Sequence, residues 1–196
     1  FLVMHYTAGA SAASSVNWLT NPRARASAHL VIGRDGSIVQ LVDFNRRAWH
    51  AGRRNWPGLN GLNAHSIGIE LDNPGLLKGS PGNWRTSWGK VVQDSDVMIT
   101  TRASDGLLQG WHTYTETQLE IAREVSLEIV RHYHLEDVLG HDDISPGRKV
   151  DPGEAFPMST FQSLVAGREA DDAGDIYKTT TALNIRKGPG TEYEKF

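Results

Sequence analysis

The sequence predicts an α/β fold in which helices flank a mixed central β-sheet, and three observations lead to this prediction. Short apolar runs of the kind that form buried strands recur through residues 1–71. An Asp-Gly pair between two of these runs, Asp35-Gly36, predicts a hairpin and therefore one antiparallel pair of strands. Apolar residues at helical spacing follow from residue 115 onwards. Strands followed by helices, with one hairpin among the strands, are typical of a mixed α/β domain.

Four strands are predicted in the first part of the chain. The first, residues 1–5, ends at His5 and is followed by small residues. Residues 28–32 and 37–42 form the two strands of the hairpin. The fourth strand, residues 66–71, has its aliphatic residues on one face, because side chains alternate along a strand. Gly68 and Glu70 then share the other face.

Three helices are predicted, together with one long irregular segment. Residues 14–19 form a short helix that Asn21-Pro22 closes. Thr115 begins the long helix, with Gln118 three residues on as in a capping box. Its apolar residues recur at steps of three or four and lay one face on the sheet: Leu119, Ala122, Val125, Ile129 and Tyr133. A last helix is expected over residues 158–165, with Gly167 as its C-terminal cap. Residues 72–112, rich in Gly, Pro, Ser and Trp, are predicted to form an irregular excursion of the kind that shapes a site.

Charge and apolar content divide the chain into three parts. Residues 168–175 contain five charged residues and no large apolar one, which predicts a linker. The prediction is therefore a folded domain over residues 1–167, a linker over 168–175 and a C-terminal segment over 176–196. The chain opens inside an apparent strand, with no initiator Met and no signal-peptide pattern, so we expect a fragment of a longer protein.

The overall composition excludes several classes of function. The 196 residues carry a net charge of −3, whereas a general nucleic-acid binder normally presents a basic face. No apolar stretch approaches the roughly 18 to 20 residues of a membrane span. Cys is absent, so the chain has no disulfide framework and no thiolate to serve as nucleophile or metal ligand. This Cys usage fits both a cytoplasmic protein and a secreted one.

The residues best suited to chemistry lie at the end of the first strand and in a polar loop. His5 ends an apolar strand, at an edge of the sheet where loops assemble sites, although a single His there is more often a core residue. Residues 140–153 pack His141, three Asp including Asp151, and two basic residues between Gly and Pro, with no helical periodicity. Two imidazoles and a carboxylate are a ligand set for a catalytic zinc that keeps a fourth position for water. His29 and His50 are discussed below. The other four His are interpreted as surface residues: His65, His112, His132 and His134.

Five strings follow one another in order along the chain: His5-Tyr6-Thr7-Ala8, Ser27-Ala28-His29-Leu30-Val31-Ile32, Ala48-Trp49-His50-Ala51-Gly52, Ser66-Ile67-Gly68-Ile69-Glu70-Leu71, and the segment from Gly140-His141 to Asp151-Pro152-Gly153. Together they resemble the N-acetylmuramoyl-L-alanine amidase family, which shares its fold with the peptidoglycan recognition proteins. The resemblance covers residues 1–165. It implies that His5, His141 and Asp151 bind Zn2+, and that Glu70 and Lys149 are the catalytic glutamate and lysine.

The residues themselves agree with these implied roles. Glu70 points away from the aliphatic face of its strand, where a carboxylate can take a proton from water and pass it to a leaving amine. Lys149, two residues before Asp151, can place positive charge beside a developing oxyanion. The alternative for Glu70 is a strand carboxylate paired with an Arg.

Further residues are predicted to contact substrate or cell wall. Trp49 and His50 are expected in the substrate groove, since an exposed Trp offers a flat face to a sugar, although Trp49 as a core residue is nearly as good an interpretation. His29 is expected to line the groove or to support the site without binding the metal. Residues 181–191 resemble the opening of a bacterial SH3-type domain, a family that commonly binds cell wall. The sequence therefore predicts a partial all-β segment at the C-terminus.

The resemblance leads to one main hypothesis about function and one alternative. The main hypothesis is an enzyme, a zinc amidase that hydrolyses the bond between N-acetylmuramic acid and L-alanine in peptidoglycan or muropeptides. The alternative is a module of the same fold that recognises muropeptides without cleaving them. Both interpretations imply a peptidoglycan-derived partner and no nucleic acid, and leave the oligomeric state open. A cell-envelope or secreted location is expected, with a cytoplasmic one also possible, and a phage endolysin would use the same chemistry.

Overall fold

A five-stranded mixed β-sheet organises the structure, a computed structural model that describes residues 1–52 and 56–172. Its strands are β1 (Leu2–Tyr6), β2 (Leu30–Ile32), β3 (Ile38–Gln40), β4 (Ile67–Leu71) and, after four short strands outside the sheet, β9 (Val138–Gly140). The order across the sheet is β3-β2-β4-β1-β9. Only the β2–β3 pair is antiparallel, which is the hairpin expected at Asp35-Gly36. The predicted mixed α/β class is confirmed.

The hairpin turn depends on its two central residues. Gly36 has a φ of 82°, which a residue without a Cβ adopts at little cost. The Asp35 carboxylate accepts a hydrogen bond from the Ser37 main-chain N–H at 3.0 Å. Strand β3 is shorter than the predicted residues 37–42, and Ile38 and Val39 are exposed on it. It is an edge strand, so one side of its backbone has no neighbouring strand.

Within the described ranges four α-helices accompany the sheet: α1 (Ala12–Leu19), α2 (Glu116–Tyr133), α3 (His141–Ile144) and α4 (Met158–Asp172). Helix α1 begins earlier than predicted, because Ser11 and Ser14 form its capping box. Thr115 caps α2 as predicted, and its hydroxyl accepts from the Gln118 N–H at 3.1 Å. The Gln118 side chain does not close the box. It is fully buried and donates to the carbonyls of Ile32 and Asp72, which ties α2 to the sheet.

Helix α4 does not end where the sequence suggested. It continues through Gly167 to Asp172, so residues 168–172 of the expected linker are helical. A single Gly inside a helix costs only about 1 kcal/mol, and the Arg-Glu-Ala that follows has good helix propensity. The chain divides into two compact units, Phe1–Ala166 and Gly167–Phe196. The predicted SH3-type segment, residues 176–196, lies outside the described residues, and the domain boundaries stay a prediction.

The two faces of the sheet bury different sets of residues. Leu2, Met4 and the three aliphatic residues of β4 pack with α2 and α4 in the larger core, as the alternation of β4 predicts. Val3 lies on the opposite face in a smaller cluster with Ala51, Leu62, Leu139 and Ile144. His5 and Glu70 follow the same alternation and therefore point to the smaller-core side. The larger core thus packs against one face of the sheet, and the opposite face carries the polar side chains of His5 and Glu70.

The excursion over residues 72–112 has more regular structure than predicted. It contains two small antiparallel sheets, β5 (Trp84–Arg85) with β6 (Val91–Val92), and β7 (Val97–Thr101) with β8 (Leu108–His112). Leu77, Trp84 and Val92 form a separate apolar core. Among the helices of the described residues, none has the length and apolar character needed to span a membrane.

Candidate metal centre

The parallel strands bring His5 and His141 to the same edge of the sheet. Strand β1 lies between β4 and β9, and Met4 pairs with Gly140. The next residues on the two strands, His5 and His141, therefore emerge side by side where parallel strands end. His141 is also the first residue of α3, so its backbone turns into a helix immediately after β9.

Asp151 reaches the same point from the loop that follows α3. The Asp142 main-chain N–H donates to the Asp151 carbonyl at 2.9 Å, which folds the loop back onto the start of α3. The Tyr114 hydroxyl donates to the Pro152 carbonyl at 2.7 Å and braces the loop from the side of α2. The sequence analysis missed Tyr114, because nothing in its local pattern relates it to a loop 38 residues away.

Three side-chain atoms converge at this edge. The Nδ1 atoms of His5 and His141 lie 3.0 Å apart, and each is 2.9 Å from Oδ2 of Asp151. All three residues are buried. Within the part of the chain that the structure describes, they form a group of His and acidic residues that could hold a metal ion.

The charges at the cluster fit the binding of a cation. Burial lowers the pKa of His5 below its ordinary value, which favours the neutral imidazole that metals bind. Burial acts to raise the pKa of Asp151, but the contacts with His141 and His5 outweigh it and hold that pKa below its usual range. The group thus offers an ionised carboxylate beside a neutral imidazole.

Hydrogen bonds alone do not account for the three short contacts. An ionised carboxylate oxygen only accepts, and each nitrogen of a neutral imidazole either donates or accepts. If both Nδ1 atoms carry hydrogen, those hydrogens face each other across 3.0 Å. If only one does, the other nitrogen and Oδ2 direct lone pairs at each other across 2.9 Å. A cation that accepts all three lone pairs removes this conflict, so the donor set fits a metal.

Glu70 lies beside the cluster without belonging to it. It pairs in register with His5 on the neighbouring strand, so the two side chains project from the same face. Its Oε2 atom is buried and has no hydrogen-bond partner among the described residues. Burial raises the pKa of Glu70 to about 8, the Asp151 carboxylate adds to the shift, and the Lys149 ammonium opposes it. None of the described arginines influences the pKa of Glu70, and Arg53 and Arg54 lie outside the described residues, so the alternative of a paired strand carboxylate stays a prediction.

Lys149 and an open cavity complete the surroundings of the cluster. The Lys149 main-chain N–H donates to the Ser145 carbonyl at 3.0 Å, within the loop that ends at Asp151. Its ammonium is close enough to influence the pKa of both His5 and Glu70. Glu70 lines a cavity of about 400 Å³, together with Thr7–Gly9 at the end of β1 and residues of α1 that include Trp18. The structure therefore brings all five residues of the predicted metal and catalytic set to one region beside a cavity.

Two of the three residues predicted to contact substrate are buried. His50 is buried behind His5, with its Nδ1 atom 3.0 Å from Nε2 of His5. His29 is buried between strands, where its Nδ1 accepts from the Gly68 N–H and its Nε2 donates to the Arg46 carbonyl. Both rings are buried, and His29 contacts the His50 ring, which agrees with the alternative that His29 supports the site. A contact of either residue with substrate stays a prediction. Trp49 is 55% exposed, with the Arg47 guanidinium above its ring, so it is not a core residue.

Gly68 explains how His50 enters the interior. A Cβ at residue 68 would lie 2.5 Å from the His50 ring, so the missing side chain provides the space that the ring fills. Burial lowers the pKa of His50 well below its ordinary value, which makes the ring neutral. Asn63 holds the backbone beside it: its Oδ1 accepts from the N–H groups of His50 and Ala51 at 2.9 and 2.7 Å. Sequence reasoning missed Asn63, which lies in a short turn with no periodic pattern.

Comparison with known proteins finds N-acetylmuramoyl-L-alanine amidases. Residues 1–154 match the family model described as N-acetylmuramoyl-L-alanine amidase. The 1,6-anhydro-N-acetylmuramyl-L-alanine amidase AmpD of Escherichia coli K12 is 33% identical over 144 residues, which are 72% of this chain and 60% of AmpD. The N-acetylmuramoyl-L-alanine amidase AmiD of the same organism is 32% identical over 179 residues, 87% of this chain and 54% of AmiD.

Solved structures give the same result. The chain resembles E. coli AmiD in complex with the substrate anhydro-N-acetylmuramic acid-L-Ala-D-γ-Glu-L-Lys, with a TM-score of 0.62, 30% identity, and coverage of 83% of this chain and 56% of that one. AmpDh3 from Pseudomonas aeruginosa, in complex with an anhydromuramic pentapeptide, has a TM-score of 0.61 at 29% identity, covering 89% and 65%. The chain thus spans less than two thirds of the length of these relatives.

Proposed function

Because the chain belongs to the N-acetylmuramoyl-L-alanine amidase family, we propose that it hydrolyses the amide bond between N-acetylmuramic acid and L-alanine. The observation that carries the proposal is the convergence of two His nitrogens and one carboxylate oxygen within 3.0 Å, next to Glu70 and an open cavity. A recognition module needs the cavity but not the ligand set, so the retained set favours the enzyme over the non-catalytic alternative.

We assign the ligand set to zinc, with His5, His141 and Asp151 as its three protein ligands. Imidazole nitrogen and carboxylate oxygen are donors that zinc accepts, and catalytic zinc sites commonly have three protein ligands and one open position. Zinc bound there lowers the pKa of a water molecule from about 15.7 towards 7 and polarises a carbonyl group. Burial of the three ligands keeps competing water away from this side of the cluster.

Glu70 and Lys149 supply the proton transfer and the electrostatic stabilisation. The Oε2 atom of Glu70, which has no hydrogen-bond partner in the part of the chain that the structure describes, takes a proton from the attacking water and passes it to the nitrogen of the leaving L-alanine. The Lys149 ammonium stabilises the negative charge that develops on the carbonyl oxygen of the substrate. Glu70 lines the cavity where the substrate amide would lie, and Lys149 is in the loop that ends at Asp151.

Muropeptides that carry an anhydro-muramic acid are the substrates to test first. The name of AmpD and the ligands in the AmiD and AmpDh3 complexes specify such compounds. Exposed Trp49 stays proposed as a contact for a sugar ring. Residues 176–196 stay proposed as part of an SH3-type module that binds cell wall. We propose a location in the cell envelope or outside the cell, where the polymer is found, with the cytoplasm as the location if soluble fragments are the substrate.

The test combines metal analysis with product identification. Purified protein is expected to contain about one zinc per chain and to convert anhydromuramyl-tetrapeptide to free anhydro-muramic acid and peptide, as identified by mass spectrometry. His141→Ala should remove both the metal and the cleavage. The matched control is His132→Ala, at an exposed position of α2, and should keep both.

The possible outcomes separate the hypotheses. Wild-type protein that binds zinc and muropeptide without cleaving either polymer or fragments would identify a recognition module. Full zinc content and full activity in His141→Ala would refute the assignment of the ligands.

A further inference from the structure

The outer nitrogen of His5 has a side-chain partner. Nε2 of His5 lies 3.0 Å from Nδ1 of His50, on the side of the ring away from the cluster. The two rings are nearly perpendicular, at 85°, with centroids 5.2 Å apart. Both residues are buried, with 1% and 8% of their surface exposed. One of these two nitrogens must carry the hydrogen, and distance alone does not say which.

Ser66 determines where the hydrogen on His50 lies. The Ser66 hydroxyl donates its one hydrogen to the Leu62 carbonyl at 2.7 Å. It therefore acts only as an acceptor towards Nε2 of His50, which lies 3.2 Å away. Nε2 of His50 must donate to it and carries the ring hydrogen.

The hydrogen on Nε2 of His50 in turn determines where the ring hydrogen of His5 lies. A neutral imidazole has one N–H, so Nδ1 of His50 is an acceptor. Nε2 of His5 then donates to it across 3.0 Å. With its hydrogen on Nε2, His5 presents a lone pair at Nδ1, the atom that faces His141 and Asp151.

We propose that Ser66 and His50 are positioning residues that hold His5 in the one tautomer able to bind a metal at Nδ1. The proposal rests on the proposed function only in taking the cluster to be a zinc site. Partners of the outer nitrogen commonly fix the tautomer of a ligand His, usually through a carboxylate, a carbonyl or water. Here a second imidazole does so, and a hydroxyl in turn fixes that imidazole.

His141 provides an internal contrast. Its outer nitrogen, Nε2, is buried and has no hydrogen-bond partner among the described residues. Among the described residues, a hydrogen-bond partner therefore fixes the tautomer of His5, and none does so for His141. We expect His5 to be the ligand that is ready before the metal arrives, whereas His141 adopts its final tautomer on binding.

The surroundings keep the His50 ring in place for this role. Asn63 accepts hydrogen bonds from the main chain at His50 and Ala51, and donates to the Gly52 carbonyl at 2.7 Å. The ring itself fills the space above Gly68. Any side chain at residue 68 would displace the ring and break its contact with His5.

A set of matched variants tests the proposal through zinc affinity. His50→Leu removes the acceptor and is expected to weaken zinc binding by about 10- to 100-fold, the usual effect of losing such a partner. His50→Asn puts an amide oxygen where Nδ1 lies, so we expect it to restore most of the affinity. Ser66→Ala should weaken binding by a smaller factor, because the Ser66 main-chain carbonyl, which the variant keeps, also accepts from the His50 ring. Ser163→Ala removes a hydroxyl that also donates to a main-chain carbonyl and should change nothing.

Zinc affinity is measured on the full chain by competition with a chromophoric chelator, with circular dichroism to confirm that each variant is folded. The second readout is the ¹⁵N NMR spectrum of the imidazole nitrogens, recorded on the ¹⁵N-labelled wild-type protein with and without zinc. A nitrogen–nitrogen coupling through the hydrogen bond from Nε2 of His5 to Nδ1 of His50 is expected in both states.

The outcomes distinguish this inference from the proposed function. If wild-type protein binds no zinc, the proposed function fails, while the coupling still reports on the tautomer. If wild-type protein binds zinc but folded His50→Leu binds it equally well, the positioning role is refuted. Equal weakness of His50→Asn and His50→Leu, or a His5 ring with its hydrogen on Nδ1 in the metal-free state, would refute it too.

Discussion

Replacing Asn63 with Ala should destabilise the protein markedly, although Asn63 is small and is not one of the three residues of the cluster. Its side chain satisfies three backbone groups in the segment that carries His50. Oδ1 accepts from the N–H groups of His50 and Ala51 at 2.9 and 2.7 Å, and Nδ2 donates to the Gly52 carbonyl at 2.7 Å. Asn63→Ala leaves all three groups without that partner.

The magnitude follows from the burial of those groups. The two hydrogen bonds that Asn63 accepts are buried, and each buried donor left unsatisfied costs about 1 to 3 kcal/mol. The bond to Gly52 is only partly buried, so water can replace much of it. We therefore expect the free energy of unfolding to fall by about 3 kcal/mol. For a chain of this size the melting temperature falls by about 2 to 4 °C per kcal/mol, or roughly 6 to 12 °C in total.

The assay is urea unfolding of the metal-free protein, followed by tryptophan fluorescence. Asn63→Asp keeps the acceptor for both N–H groups and should lie between wild type and Asn63→Ala. Asn45→Ala, at an exposed position, is the matched control and should stay within about 0.5 kcal/mol of wild type. A loss below about 1 kcal/mol in Asn63→Ala would refute the reasoning, since the segment would then satisfy its N–H groups in another way.

Three other predictions concern catalysis, packing and the C-terminal segment. Glu70→Gln should keep its zinc yet cleave soluble muropeptide about 100-fold more slowly or worse, equivalent to about 2.7 kcal/mol in the barrier; loss of zinc would instead make Glu70 a ligand or its support. Phe161→Ala should lower the free energy of unfolding in urea by about 3 to 5 kcal/mol, because its ring is 1% exposed and the ring centroids of Phe161 and Phe156 are 4.5 Å apart. A loss under about 1 kcal/mol would contradict the place of Phe161 in the core. Truncation after Asp172, the end of α4, should leave cleavage of soluble fragments unchanged and reduce cleavage of insoluble sacculi; a fall on soluble fragments would make residues 173–196 part of the catalytic unit.

Local sequence patterns predicted which strands and helices form better than they predicted which strands pair with each other. Alternation placed Glu70 opposite the aliphatic face of β4, and the core of the structure agrees. Pairing is a long-range property: Leu2 pairs with both Ile67 and Val138, and no local pattern contains that information. The sequence could therefore nominate His5, His141 and Asp151 from their chemistry and resemblance, but not the register that places His5 beside His141.

The positions of His50 and His29 could not be predicted for a related reason. His50 follows Trp49, for which the sequence left both a groove contact and a core position open, so the local pattern does not predict a buried His50. Its burial depends on Gly68, which leaves space from a different strand. Likewise, the partners of His29 are main-chain groups of Gly68 and Arg46, which any residue could supply. Burial of a polar ring was set by neighbours distant in sequence, and a local interpretation could not include them.

The central place of β1 also imposes an order on folding. Among the five strands of this sheet β1 comes first in the chain, both of its neighbours come later, and β9 is complete only at Gly140. Until then β1 has a free edge, and the nascent chain is at its most exposed to wrong pairing. Contacts between His5 and its partners close loops of 136 and 146 residues, which form slowly because distant segments must meet. A cation bound at the proposed site would therefore mark the finished domain and distinguish it from every shorter nascent chain.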